Sequence, residues 1–94
     1  MNDTHTTFAL TKLEASAVNA AMAYMRDIQQ AHGLRSDVVR HSATTWRLRA
    51  LSGEARSLAA ALREYADGIR GASAKQDREA RAAEKVARLL APNG

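Results

Sequence analysis

The chain has 94 residues and a mass of 10.2 kDa, which is the size of one small domain. Alanine occupies 21 positions, whereas Leu, Ile, Val and Phe together occupy only 16, so little apolar bulk is available for a core. With four aromatic residues and one proline, the composition favours helices over a β-sandwich or barrel, and the absence of cysteine excludes disulfides and thiolate metal sites.

The net charge of +4 is distributed unevenly along the chain. Residues 1–32 carry −1 and residues 33–94 carry +5, and eleven of the fourteen basic residues are arginine. An excess of positive charge favours association with nucleic acid or an acidic partner. The alternative explanation is a GC-rich genome, which also produces arginine- and alanine-rich chains. No stretch is long and apolar enough to span a bilayer, and the first residues lack the basic start of a signal peptide. We expect a cytoplasmic protein, or one exported without a cleaved signal.

The first predicted element is a helix over residues 10–31. Thr11 and Glu14 form a Thr-x-x-Glu capping box at its start. Gly33 is suited to end it, because glycine readily adopts the left-handed conformation at a helix C-terminus. The helix has one apolar face at four- and three-residue spacing: Leu13, Ala17, Ala20, Tyr24 and Ile28. The stripe is widened by residues that lie alongside: Val18, Ala21, Met22 and Met25.

A second helix is predicted over residues 36–50. Ser36 can cap its start, and Asp37 favours the positive end of the helix dipole. It is expected to end near Gly53. Four residues recur on one helical face: Val39, Ala43, Trp46 and Ala50.

The longest pattern runs through the C-terminal half of the chain and predicts a helix over residues 54–90. Gly68 and Gly71 each cost about 1 kcal/mol inside a helix relative to alanine. They are therefore either tolerated surface positions or a hinge that lets residues 73–90 fold back. The heptad series alternates spacings of four and three: Leu51, Ala55, Leu58, Leu62, Tyr65, Ile69, Ala72, Gln76, Glu79, Ala83, Val86 and Leu90.

No catalytic or metal-binding constellation stands out in the sequence. His5, His32 and His41 do not share a helix face at ligand spacing. No glycine-rich phosphate loop and no Gly-x-Ser-x-Gly elbow occurs. We therefore expect a protein that is not an enzyme and needs no cofactor or metal ion.

A basic cluster surrounds the single tryptophan, Trp46. Such a cluster indicates either a nucleic-acid contact or a solvated arginine face. Trp46 itself is either a packing anchor between helices or a contact residue at a protein interface. The candidate nucleic-acid-binding residues are Arg40, Arg47, Arg49 and Arg56.

Trp46 lies shortly before the Leu51-Ser52-Gly53 turn near mid-chain, and residues 62–72 continue as heptads. This arrangement resembles the WXG-type small helical hairpins of type VII secretion. The resemblance implies two helices meeting at a turn formed by Trp46 and Gly53, and a heptad face that pairs with a sister protein. Two features depart from the family. Trp46 is followed by Arg47-Leu48, so the glycine expected two residues after the tryptophan is absent. The export signal of the family, a tyrosine with an acidic residue four positions later, is not completed at Tyr65.

Together the patterns predict an all-α fold, as a helical hairpin or a three-helix arrangement with a long C-terminal heptad-patterned helix. The expected organisation is a flexible N-terminus at residues 1–9, a single helical domain at 10–90 and a flexible C-terminus at 91–94.

Two functional hypotheses follow from the sequence. The first is a non-enzymatic helical module, a type VII secretion substrate or partner, that pairs as a homodimer or heterodimer with a similar helical protein. The alternative is a small basic phage or bacterial regulator that binds nucleic acid or a host protein through the four arginines named above. The expected partner-binding residues of the first hypothesis are Trp46, Leu58, Leu62, Tyr65 and Ile69.

Overall fold

The computed structural model describes residues 4–28 and 35–92, and over these residues the fold mixes helices with a sheet. The prediction of an all-α fold is therefore wrong. Three strands form one antiparallel sheet in the order β1-β3-β2. The elements in chain order are β1 (His5–Leu10), α1 (Lys12–Ile28), β2 (Asp37–Arg40), β3 (Trp46–Leu51), a 3-10 turn (Ser52–Glu54), α2 (Ala55–Ile69) and α3 (Ala74–Leu90).

The sheet replaces the helix predicted over residues 36–50. β2 and β3 are antiparallel neighbours connected by the loop 41–45. Within this loop, the N–H groups of His41 and Ser42 donate to the Thr45 carbonyl oxygen at 3.0 and 3.1 Å. In residues 46–50, apolar side chains alternate with arginines. This two-residue period is typical of a strand that has one face covered by the core. The helical spacing of Val39, Ala43, Trp46 and Ala50 coexists with this alternation, so periodicity alone did not separate the two structures.

Ser36 is not a helix cap in the structure. It is almost fully buried, its hydroxyl donates to Glu54 Oε1 at 2.6 Å, and its oxygen accepts the N–H of Leu51 at 2.9 Å. The N–H groups of Arg35 and Ser36 also donate to the Glu54 carboxylate, each at 2.8 Å. This network joins the start of β2 to the end of β3 and to the 3-10 turn.

The first helix forms much as predicted, and its buried residues come mainly from the part of the predicted apolar stripe that flanks the Leu13–Tyr24 row. The capping box is confirmed, since Glu14 N donates to Thr11 Oγ1 and Thr11 N donates to Glu14 Oε1. The predicted end near Ala31 and Gly33 lies outside the described residues. Leu13 is 37% exposed, and the side chains that pack into the core are Ala15, Ala17, Val18, Ala21, Met22 and Met25.

The predicted helix 54–90 is divided at residues 70–73, so the hinge interpretation is observed at Gly71, whereas Gly68 is an exposed position inside α2. Gly71 adopts φ +87°, which a side chain disfavours, and Ser73 caps α3 by accepting the N–H of Gln76. The two helices α2 and α3 fold back on each other and are called the helical hairpin below. The heptad series thus pairs largely with itself, and Leu58, Leu62, Ala83 and Val86 are all fully buried.

One core holds the sheet and helices together. Leu10 of β1 and Leu48 and Ala50 of β3 pack against buried side chains from all three helices. Residues 5–9 of the strand His5–Leu10 lie in the segment 1–9 that was predicted to be flexible. No helix within residues 4–28 and 35–92 is long and apolar enough to cross a bilayer.

Candidate nucleic-acid interface

One face of the sheet points away from the helices. Strand alternation places Leu48 and Ala50 of β3 towards the core, while Arg47 and Arg49 point to the opposite side and are exposed. We call this surface the outer face, and define it by the six residues that the strand register aligns in two rows. Thr7, Arg49 and Asp37 form one row, and Ala9, Arg47 and Val39 form the other.

Arg49 is held in a fixed orientation by Asp37. Its Nε donates to Asp37 Oδ1 at 2.9 Å and its Nη2 donates to Asp37 Oδ2 at 2.6 Å, while both side chains remain about half exposed. The hydrogen bonds and charge of Arg49 hold the pKa of the Asp37 carboxyl below its ordinary value, and Asp37 raises the pKa of Arg49 in return. Because Asp37 uses one side of the planar guanidinium, the outward end of the group, Nη1 with the second hydrogen of Nη2, still has donors to offer.

Arg47 has a different environment two residues away on the same strand. Its Nη2 donates to Nε2 of His41 at 3.2 Å, so its described partner is an imidazole rather than a carboxylate. An open cleft of about 220 Å³ runs past both arginines. The cleft is lined by Thr7, Val39, Arg40, His41, Arg47 and Arg49.

Arg40 borders this cleft but is already engaged. Its guanidinium lies 5.6 Å from the centre of the Trp46 ring and donates to the carbonyl oxygens of Ser42 and Ala43 at 3.1 and 3.2 Å. These contacts stabilise the loop 41–45. Arg56 lies in the first turn of α2, exposed and outside the sheet. The structure therefore brings together Arg47 and Arg49, places Arg40 beside them, and separates Arg56 from them.

The residues expected to bind a protein partner lie in the chain's own core. Leu58 and Leu62 are fully buried, and Trp46, Tyr65 and Ile69 are partly buried against the core. Tyr65 donates its hydroxyl to Glu79 Oε1 at 2.8 Å, and burial, together with this hydrogen bond and the negative charge of Glu79, raises the pKa of Tyr65 to about 12. The turn that the WXG resemblance implies is not formed, because Trp46 begins β3.

Sequence reasoning missed four contributors to the outer face. Thr7 and Ala9 were assigned to a flexible end, Asp37 was interpreted as a helix-dipole residue, and Val39 was placed on a helix face. The alternation Trp-Arg-Leu-Arg-Ala at residues 46–50, which separates two arginines from three packing residues, is a signal for β3. The residues on β1 and β2 are placed on the outer face by the strand register, which no local signal gives.

The part of the chain that the structure describes offers no alternative centre for metal chemistry. No group of three or more His, Asp or Glu residues is placed there to hold an ion. Buried side-chain nitrogen and oxygen atoms in the described ranges all have hydrogen-bond partners.

Comparison with known proteins adds no relative from which a role can be transferred. No family model, curated protein sequence or solved structure matches the chain.

Proposed function

We propose that the protein is a non-catalytic binding module that holds nucleic acid against the outer face of its sheet. The observation that carries the proposal is the pair Arg47 and Arg49 on the central strand, exposed and side by side on a surface opposite the helices. Side chains on the central strand can meet a ligand that lies across all three strands.

The electrostatics of the whole chain support the same choice. The net charge is +4 and the isoelectric point is about 10.1, which favours association with a polyanion. The competing hypothesis, pairing with another chain through the heptad face, is less favoured because Leu58 and Leu62 of that face are buried within the monomer. A partner can reach these leucines only if the helical hairpin opens.

The chemistry required is modest and fits the site. Guanidinium groups hydrogen bond to phosphate oxygens and base edges, and each phosphate neutralised releases condensed counterions. With Arg47 and Arg49 as the main contacts, the site neutralises only about one or two phosphates, so we expect micromolar or weaker affinity with a shallow salt dependence.

The test is fluorescence anisotropy with labelled DNA of mixed sequence, measured over a series of salt concentrations. The double variant R47A/R49A should lose about tenfold or more in affinity and flatten the salt dependence. The matched control is R78A/R81A, which removes the same charge from exposed positions on α3. Equal losses in the two double variants would show that net charge, rather than the outer face, governs binding, and no binding at low salt would reject the proposal.

A further inference from the structure

The shape of the outer face narrows the class of nucleic acid. Neighbouring strands lie about 4.8 Å apart, so the axes of β1 and β2, on either side of β3, are about 10 Å apart. The major groove of B-form DNA is about 12 Å wide, whereas the minor groove is about 6 Å wide. The major groove admits a two-stranded β-ribbon, so β3 with one neighbouring strand can enter it, whereas the minor groove is too narrow for two strands.

The residue types on the outer face argue against single strands. Proteins that bind single strands stack bases on aromatic side chains. Thr7, Ala9, Asp37, Val39, Arg47 and Arg49 include no aromatic residue, and the strand aromatics Phe8 and Trp46 pack against the core instead. The deep, narrow major groove of A-form RNA excludes a sheet, which leaves duplex DNA.

The two arginines differ in what they can contribute to such a complex. Arg47 has an imidazole as its described partner, so its charge is available to a phosphate. The charge of Arg49 is balanced by Asp37, and its orientation is fixed by two hydrogen bonds. A neutralised, oriented guanidinium gains little from a phosphate, but its outward end can donate two parallel hydrogen bonds to a base.

The base that accepts two parallel hydrogen bonds from a guanidinium in the major groove is guanine, through O6 and N7. We therefore propose that Arg49, positioned by Asp37, reads a guanine in the major groove of duplex DNA. This inference rests on the proposed function, and it adds a base preference and a groove. Asp37 acts here as a positioning residue, because it orients Arg49 without touching the DNA.

The experiment compares two duplexes of about 20 base pairs, one made only of G·C pairs and one of alternating A·T pairs, with their single strands as further probes. The wild-type protein should bind the G·C duplex about tenfold more tightly than the A·T duplex. Replacement of guanine by 7-deazaguanine, which removes the N7 acceptor but leaves the minor groove unchanged, should abolish most of that preference.

Three variants separate base reading from general attraction. R49K keeps the charge but cannot donate in parallel, so it should retain binding and lose the preference for G·C. D37N should also lose the preference, while its affinity for the A·T duplex stays equal or rises because one negative charge is removed. D37E should restore part of the preference, which a purely structural role of Asp37 would not produce.

The outcomes distinguish the inference that Arg49 reads a guanine from the proposal that the outer face binds nucleic acid. Equal affinity for the two duplexes, an unchanged preference with 7-deazaguanine or in R49K, or single strands bound as tightly as duplexes would overturn the inference and leave nucleic-acid binding intact. Failure of every probe to bind at low salt would reject both.

Discussion

The helical hairpin and the outer face of the sheet use side chains in opposite ways. In the helical hairpin, Leu58 and Leu62 are fully buried and contribute contacts within the chain. On the outer face, Arg47 and Arg49 are exposed and contribute almost nothing to the core. The stability of this small protein therefore depends on the surface that the sequence suggested for a partner. The binding chemistry that we propose depends on a surface that the sequence suggested was part of a helix.

The largest expected effect comes from the helical hairpin. L62A leaves a cavity in a fully buried site and should lower the free energy of unfolding by about 2–5 kcal/mol. Leu89, on the same hairpin but 45% exposed, provides the matched control, and L89A should change stability by about 0.5 kcal/mol or less. Urea denaturation followed by circular dichroism measures both.

The same pair tests whether the leucine is shared with a partner. If Leu62 belonged to an interface between chains, L62A would change the oligomeric state in sedimentation while leaving the monomer folded. A folded, stable L62A monomer would contradict the assignment of the heptad series to the chain's own core.

An intermediate effect is expected at Glu54, which connects the sheet to the start of α2. Burial alone would raise the pKa of its carboxyl, but hydrogen bonds from the Ser36 hydroxyl and from the N–H groups of Arg35 and Ser36 outweigh burial and lower the pKa. Because the folded state lowers this pKa, the carboxylate stabilises the fold above the ordinary value of 4.5, and that contribution is lost as the pH falls through the lowered value.

E54Q should therefore cost about 1–2 kcal/mol at neutral pH, and the difference from wild type should shrink as the pH falls below about 4.5. D67N is the control, because Asp67 forms an exposed ion pair with Arg70, and this variant should cost about 0.5 kcal/mol or less. A difference between E54Q and wild type that stays constant down to pH 3 would contradict the role given to the carboxylate. Thermal denaturation over a pH series supplies the measurement.

The contrast between the two regions also explains how far sequence reasoning reached. The capping box at Thr11 and Glu14 and the heptad series were readable because each depends on contacts within one helix or between adjacent helices. The division at Gly71 was foreseen as one of two options, since a heptad pattern continues across a turn when both helices bury the same stripe. The pairing of β1 with β3 joins residues more than 35 positions apart, and local propensity carries no trace of it.

The candidate site was only half readable for a related reason. Arg47 and Arg49 were selected as basic residues near Trp46, but they were assigned to a helix, because the alternation at residues 46–50 coexists with a helical spacing. Asp37 could not be assigned to Arg49, because that contact depends on the β2–β3 register rather than on sequence spacing. Arg40 and Arg56 were selected on charge, yet Arg40 is tied to the loop 41–45 and Arg56 lies on α2.

The smallest effect on stability is expected where the effect on binding is largest. The Asp37–Arg49 pair is about half exposed, and ion pairs in that setting contribute about 0–1 kcal/mol because water and salt screen them. R49K and D37N should therefore unfold within about 0.5 kcal/mol of wild type while altering the choice between G·C and A·T duplexes. A loss of 2 kcal/mol or more in either variant would mean that the pair is part of the fold's own framework, and the separation between a stabilising hairpin and a binding face would no longer hold. Denaturation curves and duplex titrations on the same preparations decide between these outcomes.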